Sequence, residues 1–334
     1  MKQSDLKVAS TVSNHAALIA SDVGDTGMAR AACREHATAY LNAVPLSAGD
    51  AIRALEPVVN LIRIQLRASR TDVVHRQLED LFQAITTGKP ATIEAITIPS
   101  GLVATSEDRR EVGTWLWTVL LADGTSALTR AGRWSDALSH VQRHHGLGKR
   151  MLDGRQVAVL AAVMRADTAH AIHLLVHTSP GQAWEAAVTD CLTIQCLRAA
   201  GRPWWRPLQN LVTTYLDLSA LEGPTVFHTR LGLVVLDTID SPTNSAARQV
   251  VAKLHHRARQ SADGYAARCV LLHPLARELA TDEEVEECRR LVSACGLETG
   301  MLPAEQGSQL VEAVRLSIRM IREVLDLPMV SRPA

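Results

Sequence analysis

Two pairs of histidines carry the spacing that most directly suggests chemistry. His140 and His144 stand four residues apart, and so do His173 and His177. On a helix, that interval stacks both imidazoles of a pair on one face, where two nitrogens can be offered to a metal ion. The pairs begin at 140 and 173, so helices stacked at that interval would bring four nitrogen donors together for zinc or nickel. In a frame of 34 residues, however, a mismatch of one residue turns one pair by about 100° relative to the other. No carboxylate or cysteine completes a familiar ligand pattern around either pair. The four histidines therefore read as polar residues on the outer, solvated side of a helical layer, and no metal or other cofactor is expected.

Other chemical signals are weaker. The stretch KLHHRARQ (253–260) sets His255 and His256 before Arg257 and Arg259, a short basic run able to touch phosphate. It lacks the interleaved aromatics of a single-strand stacking surface and reads as a solvated helix face. In GRPWWRP (201–207), Trp204 and Trp205 are either an aromatic anchor for a partner or a plug at a helix corner, and the plug is the simpler role. The chain has no G-x-x-x-x-G-K-[ST] loop, no G-x-G-x-x-G after a strand, no G-x-S-x-G and no H-E-x-x-H. Asp237 and Asp240 lack the spacing and flanking aromatics of an isoprenoid cyclase. No residue is assigned a catalytic role.

The elements that would position these residues are helical. Only 3% of the residues are aromatic, so the core must be built from Ala, Leu, Val and Ile, which favours close helix packing over a β-sandwich. Apolar periodicity predicts helices over 11–22, 26–43, 49–68, 71–87, 107–130, 134–146, 153–165, 168–178, 182–200, 204–220, 224–239, 243–261, 263–280, 282–296 and 305–326. Gly88–Lys89–Pro90, Gly201–Arg202–Pro203, Gly223–Pro224, Ser241–Pro242 and Thr299–Gly300 supply the breaks. The stretch ATIEAITIPSGLVATSED (91–108) is the exception, alternating β-branched residues before Pro99 and Gly101. It reads as a linker or short hairpin, irregular over 91–105. The expected organisation is N-terminal helical repeats at 1–90, the link at 91–106, central repeats at 107–222 and a C-terminal helical region at 223–334.

Charge and cysteines narrow the setting. Lys+Arg and Asp+Glu both number 35, so no net basic field exists to hold nucleic acid. No run of about 18 apolar residues is present, so no membrane span is expected. Asp5, Ser13 and Asn14 interrupt the place where a signal peptide needs an apolar block, and the six cysteines form no C-x-x-C pair. These features together point to a cytoplasmic protein with reduced thiols.

The turns between helices recur. Gly24, Gly132 and Ala166 are each followed five residues later by alanine (Ala29, Ala137, Ala171), and both Ala137 to Ala171 and Ala166 to Ala200 span 34 residues. A tight turn between antiparallel helices wants little or no side chain, and closely crossing helices want alanine at the contact. This period, with AGRWSDAL (131–138) as its best instance, resembles the tetratricopeptide repeat. The resemblance implies an all-α fold of antiparallel helix-hairpin repeats, a right-handed solenoid. The segments SNHAALIASDVGDTGMARAACREHA and LEPVVNLIRIQLRASRTDVVHRQLEDLF further resemble the ligand-sensing region of actinobacterial helical-repeat regulators. Those regulators commonly carry a helix-turn-helix DNA-binding domain ahead of the repeats. The sensor-like helices begin at residue 11, which leaves no room for one, so direct nucleic-acid contact is not expected.

If Gly132, Ala166 and Ala200 mark equivalent turns, Arg130, Asp153, Gln156, Gln195 and Arg198 fall on the concave face, with Asn14 and Asn60 as N-terminal counterparts. Such amides and guanidinium groups suit a peptide backbone and a carboxylate. The expected function is a non-catalytic scaffold that binds a peptide or protein partner, in regulation or an accessory step of a bacterial pathway. The alternative is a cytoplasmic biosynthetic enzyme or accessory protein with an unrecognised helical active site. Leu310, Val314, Ile318 and Ile321 form an apolar stripe that either caps the array or supports a homodimer through the C-terminal helices.

Overall fold

The computed structural model describes residues 2–218, 224–297 and 299–327. The fold is all-α, interrupted among the described residues by one β-hairpin. The chain runs through α1 (Lys2–Val23), α2 (Thr26–Leu41), α3 (Ala48–Arg67) and α4 (Thr71–Thr87) to the hairpin β1 (Ala91–Ile93) and β2 (Ile96–Ile98). Next come α5 (Ser106–Val119), a π-helical turn at Leu120–Gly124, α6 (Thr125–Arg130), α7 (Trp134–Arg143), α8 (Asp153–Met164), α9 (Thr168–Val176) and α10 (Ala183–Ala199). The remaining helices are α11 (Trp205–Asp217), α12 (Thr225–Ile239), α13 (Ser245–Ser261), α14 (Gly264–Leu272), α15 (Pro274–Leu279), α16 (Asp282–Ala294) and α17 (Ala304–Val324). No helix among the described residues is long and apolar enough to cross a membrane.

Local chemistry accounts for many of these boundaries. Asp25, Ser47, Thr105, Asp167 and Thr281 each accept a backbone N–H of the helix they precede, satisfying a donor the helix leaves open. Three boundaries differ from the periodicity. α1 starts at Lys2 rather than 11, because its buried stripe continues back through Ala16, Ala9 and Leu6, and Ser10 is satisfied by the Tyr40 hydroxyl at 2.7 Å. The expected helix 107–130 is interrupted by the π turn, and 263–280 breaks at His273, with Pro274 opening α15.

The chain forms two compact units, Met1–His140 with Glu298–Ala334, and Val141–Leu297. The 91–106 link lies within the first unit, and the expected boundary at 222–223 lies outside the described residues. In the first unit each of α1 to α4 packs on its successor, and α17 returns to pack on α1 and α2. Val314, Ile318 and Ile321 are buried in that core and Leu310 packs against it, so the stripe packs α17 onto α1 and α2.

The hairpin belongs to the same core. Ile93, Ile96 and Ile98 are buried, and its two-residue tip, Glu94–Ala95, has φ of 50° and 66°. Both values lie in the left-handed region that a type I′ hairpin turn requires and that residues with a Cβ resist. An anchor holds the tip: the Glu94 carboxylate accepts from Gln65 Nε2 at 2.5 Å, Gln77 Nε2 at 3.3 Å and Arg30 Nη1 at 2.5 Å. Burial pushes the Glu94 pKa up, but these hydrogen bonds outweigh it and hold the carboxyl below its ordinary value.

The second unit has cores of its own, the largest around Leu211, Tyr215, Val235, Leu236 and Leu254. The KLHHRARQ stretch on α13 is divided: His256 and Arg259 lie on a solvated face, as expected, whereas Lys253, His255 and Arg257 turn inward. Lys253 Nζ donates to the carbonyls of Leu216 and Leu218, and Arg257, 3% exposed, reaches Leu218 O at 3.3 Å. These cations satisfy carbonyls that the end of α11 leaves open. Trp204 packs against the core beneath the Arg198 guanidinium, 4.0 Å from its ring, whereas Trp205 is exposed. All six cysteines are free thiols.

Candidate functional site

The first unit carries an open groove of about 960 Å³ bounded by α1, α2 and α17. α17 contributes Val311, Val314, Arg315, Ile318, Arg319 and Arg322, a stripe at helical spacing. α2 faces it with Met28, Ala31, Ala32, Glu35 and Thr38, and Ala16 of α1 lies between them. Small alanines make the floor both apolar and low, which leaves room for an inserted element. Arg34, Arg315, Arg319 and Arg322 set four positive charges along this groove against the single lining carboxylate of Glu35. Arg315 also meets Glu312 at 2.9 Å, but both side chains are about half exposed, so that pair is weak.

The seven concave-face candidates are divided between the units, with Asn14, Asn60 and Arg130 in the first and Asp153, Gln156, Gln195 and Arg198 in the second. Several are engaged within the fold. Asn14 Nδ2 donates to Glu56 Oε2 at 2.9 Å and Asn60 Nδ2 reaches Asn14 Oδ1 at 3.4 Å, tying α3 to α1. Gln156 donates to Met151 O, and Arg198 donates to Thr238 O while stacking on Trp204. Arg130, Asp153 and Gln195 are exposed.

The histidines also part company. His173 and His177 are exposed on and just after α9, with ring centroids 4.1 Å apart, and His144 lies in the turn after α7. His140 is different: it is 1% exposed rather than solvated, and its neighbours come from α4. His140 Nδ1 lies 3.3 Å from His75 Nε2 and 3.2 Å from Glu79 Oε1, and the last two atoms are 3.7 Å apart. On its other side, His140 Nε2 is 3.1 Å from the carbonyl oxygen of Leu120 in the π turn. A Cβ at Gly124 would stand 2.8 Å from that nitrogen, so glycine is what lets the ring sit there.

Sequence reasoning passed over His75, Glu79 and the groove arginines. The signals were present: His75 and Glu79 are one helical turn apart, and Arg315, Arg319 and Arg322 follow one face. What gave them meaning, α7 beside α4 and α17 beside α2, comes from contacts between distant segments.

The fold and site thus define an all-α chain whose first unit combines a basic, apolar-floored groove with a converging His–Glu–His cluster. Comparison with protein-family models, with curated proteins and with solved structures finds no match to this chain in any of the three.

Proposed function

We propose that the protein is a non-catalytic α-helical scaffold of tetratricopeptide-like helix hairpins that binds an acidic, amphipathic peptide segment of a partner protein. Recognition is assigned to the α1/α2/α17 groove instead of the concave-face positions, because Asn14, Asn60, Gln156 and Arg198 already serve internal contacts. The repeat reading draws support from left-handed residues at corresponding turns, Gly132 (φ 70°), Ala166 (φ 59°) and Gly201 (φ 63°). The last lies one position beyond Ala200, where the sequence period put it.

The groove itself carries the functional reading. Two helices face each other with apolar and small residues, and arginines line the opening. That is the arrangement into which an amphipathic helix lays its apolar face. From Val311 to Arg322 the stripe rises about 17 Å, the length of three helical turns. Four arginines favour a segment whose polar face is acidic, by direct charge complementarity.

The test uses a fluorescein-labelled helical peptide of about 14 residues, four turns long, with leucine and alanine on one face and glutamate on the other. Anisotropy should report saturable binding that weakens as salt rises from 50 to 300 mM. Combined Arg315→Glu, Arg319→Glu and Arg322→Glu substitutions should lower affinity at least tenfold, and a scrambled peptide of equal charge should bind as weakly as to that variant. Absence of binding, or equal binding by the scrambled peptide, rejects the groove as a helix site. Light scattering that finds a dimer dispersed by the same substitutions would instead assign the groove to a second copy of the chain.

A further inference from the structure

We propose that His75, Glu79 and His140 form a binding site for a single divalent transition-metal ion of the zinc type, held between α4 and α7 with one coordination position open to water. This is independent of the groove and of its occupant. The three donor atoms, His75 Nε2, Glu79 Oε1 and His140 Nδ1, form a triangle with edges of 3.2, 3.3 and 3.7 Å. A tetrahedral zinc ion with bonds of about 2.0–2.1 Å spaces its ligands about 3.3–3.4 Å apart. The observed triangle is close to one face of that tetrahedron before any side chain moves.

The surroundings orient the donors as a metal site requires. Leu120 O can only accept a hydrogen bond, so the proton on that side of His140 resides on Nε2, 3.1 Å away. In the neutral ring, Nδ1 then directs its lone pair toward His75 and Glu79. A backbone carbonyl that fixes the tautomer of a ligating histidine is a recurrent outer partner of zinc sites. The carbonyl comes from the π turn, a distortion that often accompanies function, and Gly124 leaves the space for the ring. His75 and Glu79 share one face of α4, four residues apart. Their side chains are 23% and 27% exposed against 1% for His140, so the fourth position looks toward solvent. Two nitrogens and one carboxylate form a ligand set well suited to zinc, and three protein ligands leave room for a water.

The experiment loads chelator-stripped full-length protein with Zn²⁺ against a competing chromophoric chelator and repeats the titration with Co²⁺. One ion per chain is expected, with Co²⁺ giving the intense visible bands of a tetrahedral site. Glu79→Gln and His75→Ala, both at partly exposed positions, should each lower affinity at least tenfold while circular dichroism keeps its helical signal. His173→Ala with His177→Ala removes the exposed pair on the other unit and should leave binding unchanged. Zinc binding that persists in both α4 variants and disappears in the His173/His177 variant would overturn the assignment in favour of adventitious surface binding. Absence of stoichiometric binding would overturn it outright and leave a hydrogen-bonded His–Glu–His cluster.

Discussion

His36 is buried in the core of the first unit, against Tyr40 at 5.7 Å between ring centroids, and among the described residues neither ring nitrogen has a hydrogen-bond partner. Burial alone pushes its pKa down to about 4. The native state therefore keeps His36 neutral over a range where the unfolded chain, titrating near 6.5, takes up a proton. Stability must fall as pH drops from 6.5 toward 4, by about 2 kcal/mol at pH 5 and about 3 kcal/mol over the full interval. His36→Met keeps the volume and removes both unsatisfied nitrogens, so it should stabilise the protein at neutral pH by about 1–3 kcal/mol. Urea unfolding of both proteins at pH 7.5 and 5.0 checks this. The variant's advantage should widen at the lower pH, and a constant difference would show that His36 is not protonated on unfolding. Nothing in the sequence marks His36, because a histidine among alanines on a helix looks the same whether it faces water or core. His140 was visible as half of a spaced pair, yet its partners lie 61 and 65 residues away on α4.

At the scale of elements, the turns were the most legible feature. Small residues and caps stop and start helices through local backbone chemistry, and for that reason Gly132, Ala166 and Thr281 could be read directly as boundaries. The hairpin tip was not legible, because Glu94–Ala95 carries no glycine or asparagine and is held by Arg30, Gln65 and Gln77 from two other helices and α2. The return of α17 onto α1 was hidden for the same reason: its apolar stripe announces burial and names no partner. Comparison of the three turns yields a prediction. Gly132 and Gly201 occupy the left-handed conformation at little cost, whereas Ala166 holds φ 59° with a Cβ. That conformation costs a residue other than glycine about 1–2 kcal/mol, partly offset by the greater freedom glycine has when unfolded. Ala166→Gly should therefore stabilise the α8–α9 hairpin by about 0.5–1 kcal/mol, seen as a higher urea midpoint with an unchanged slope. A lower midpoint would mean that the Ala166 methyl contributes packing that outweighs the backbone strain.

Across the whole molecule, each unit encloses its own apolar clusters, and each carries its own titrating groups. In the first unit His36 and Glu94 act in the same direction, because both pKa values are depressed in the folded state and stability is lost on acidification. In the second unit Asp190 acts in the opposite direction. Burial pushes its carboxyl up to about 6, so the ionised form is a burden above that pH and is relieved as pH falls from 6 toward its unfolded value near 4. His255 opposes Asp190, since burial lowers its pKa, so protonation of the two groups acts in opposite senses on the second unit as pH falls. Two cores with different pH responses should melt as two calorimetric transitions that separate on acidification, the first unit's falling further than the second's. Two substitutions assign them. His36→Met should raise the first unit's transition by about 4–8 °C more at pH 5 than at neutral pH, the shift that about 2 kcal/mol gives in a unit of this size. Asp190→Asn should raise the second unit's transition at pH 8 and leave it unchanged near pH 4, where the native Asp190 is itself protonated. If a single transition persists throughout and responds to both substitutions, the two cores unfold as one cooperative body and the division applies to contacts alone.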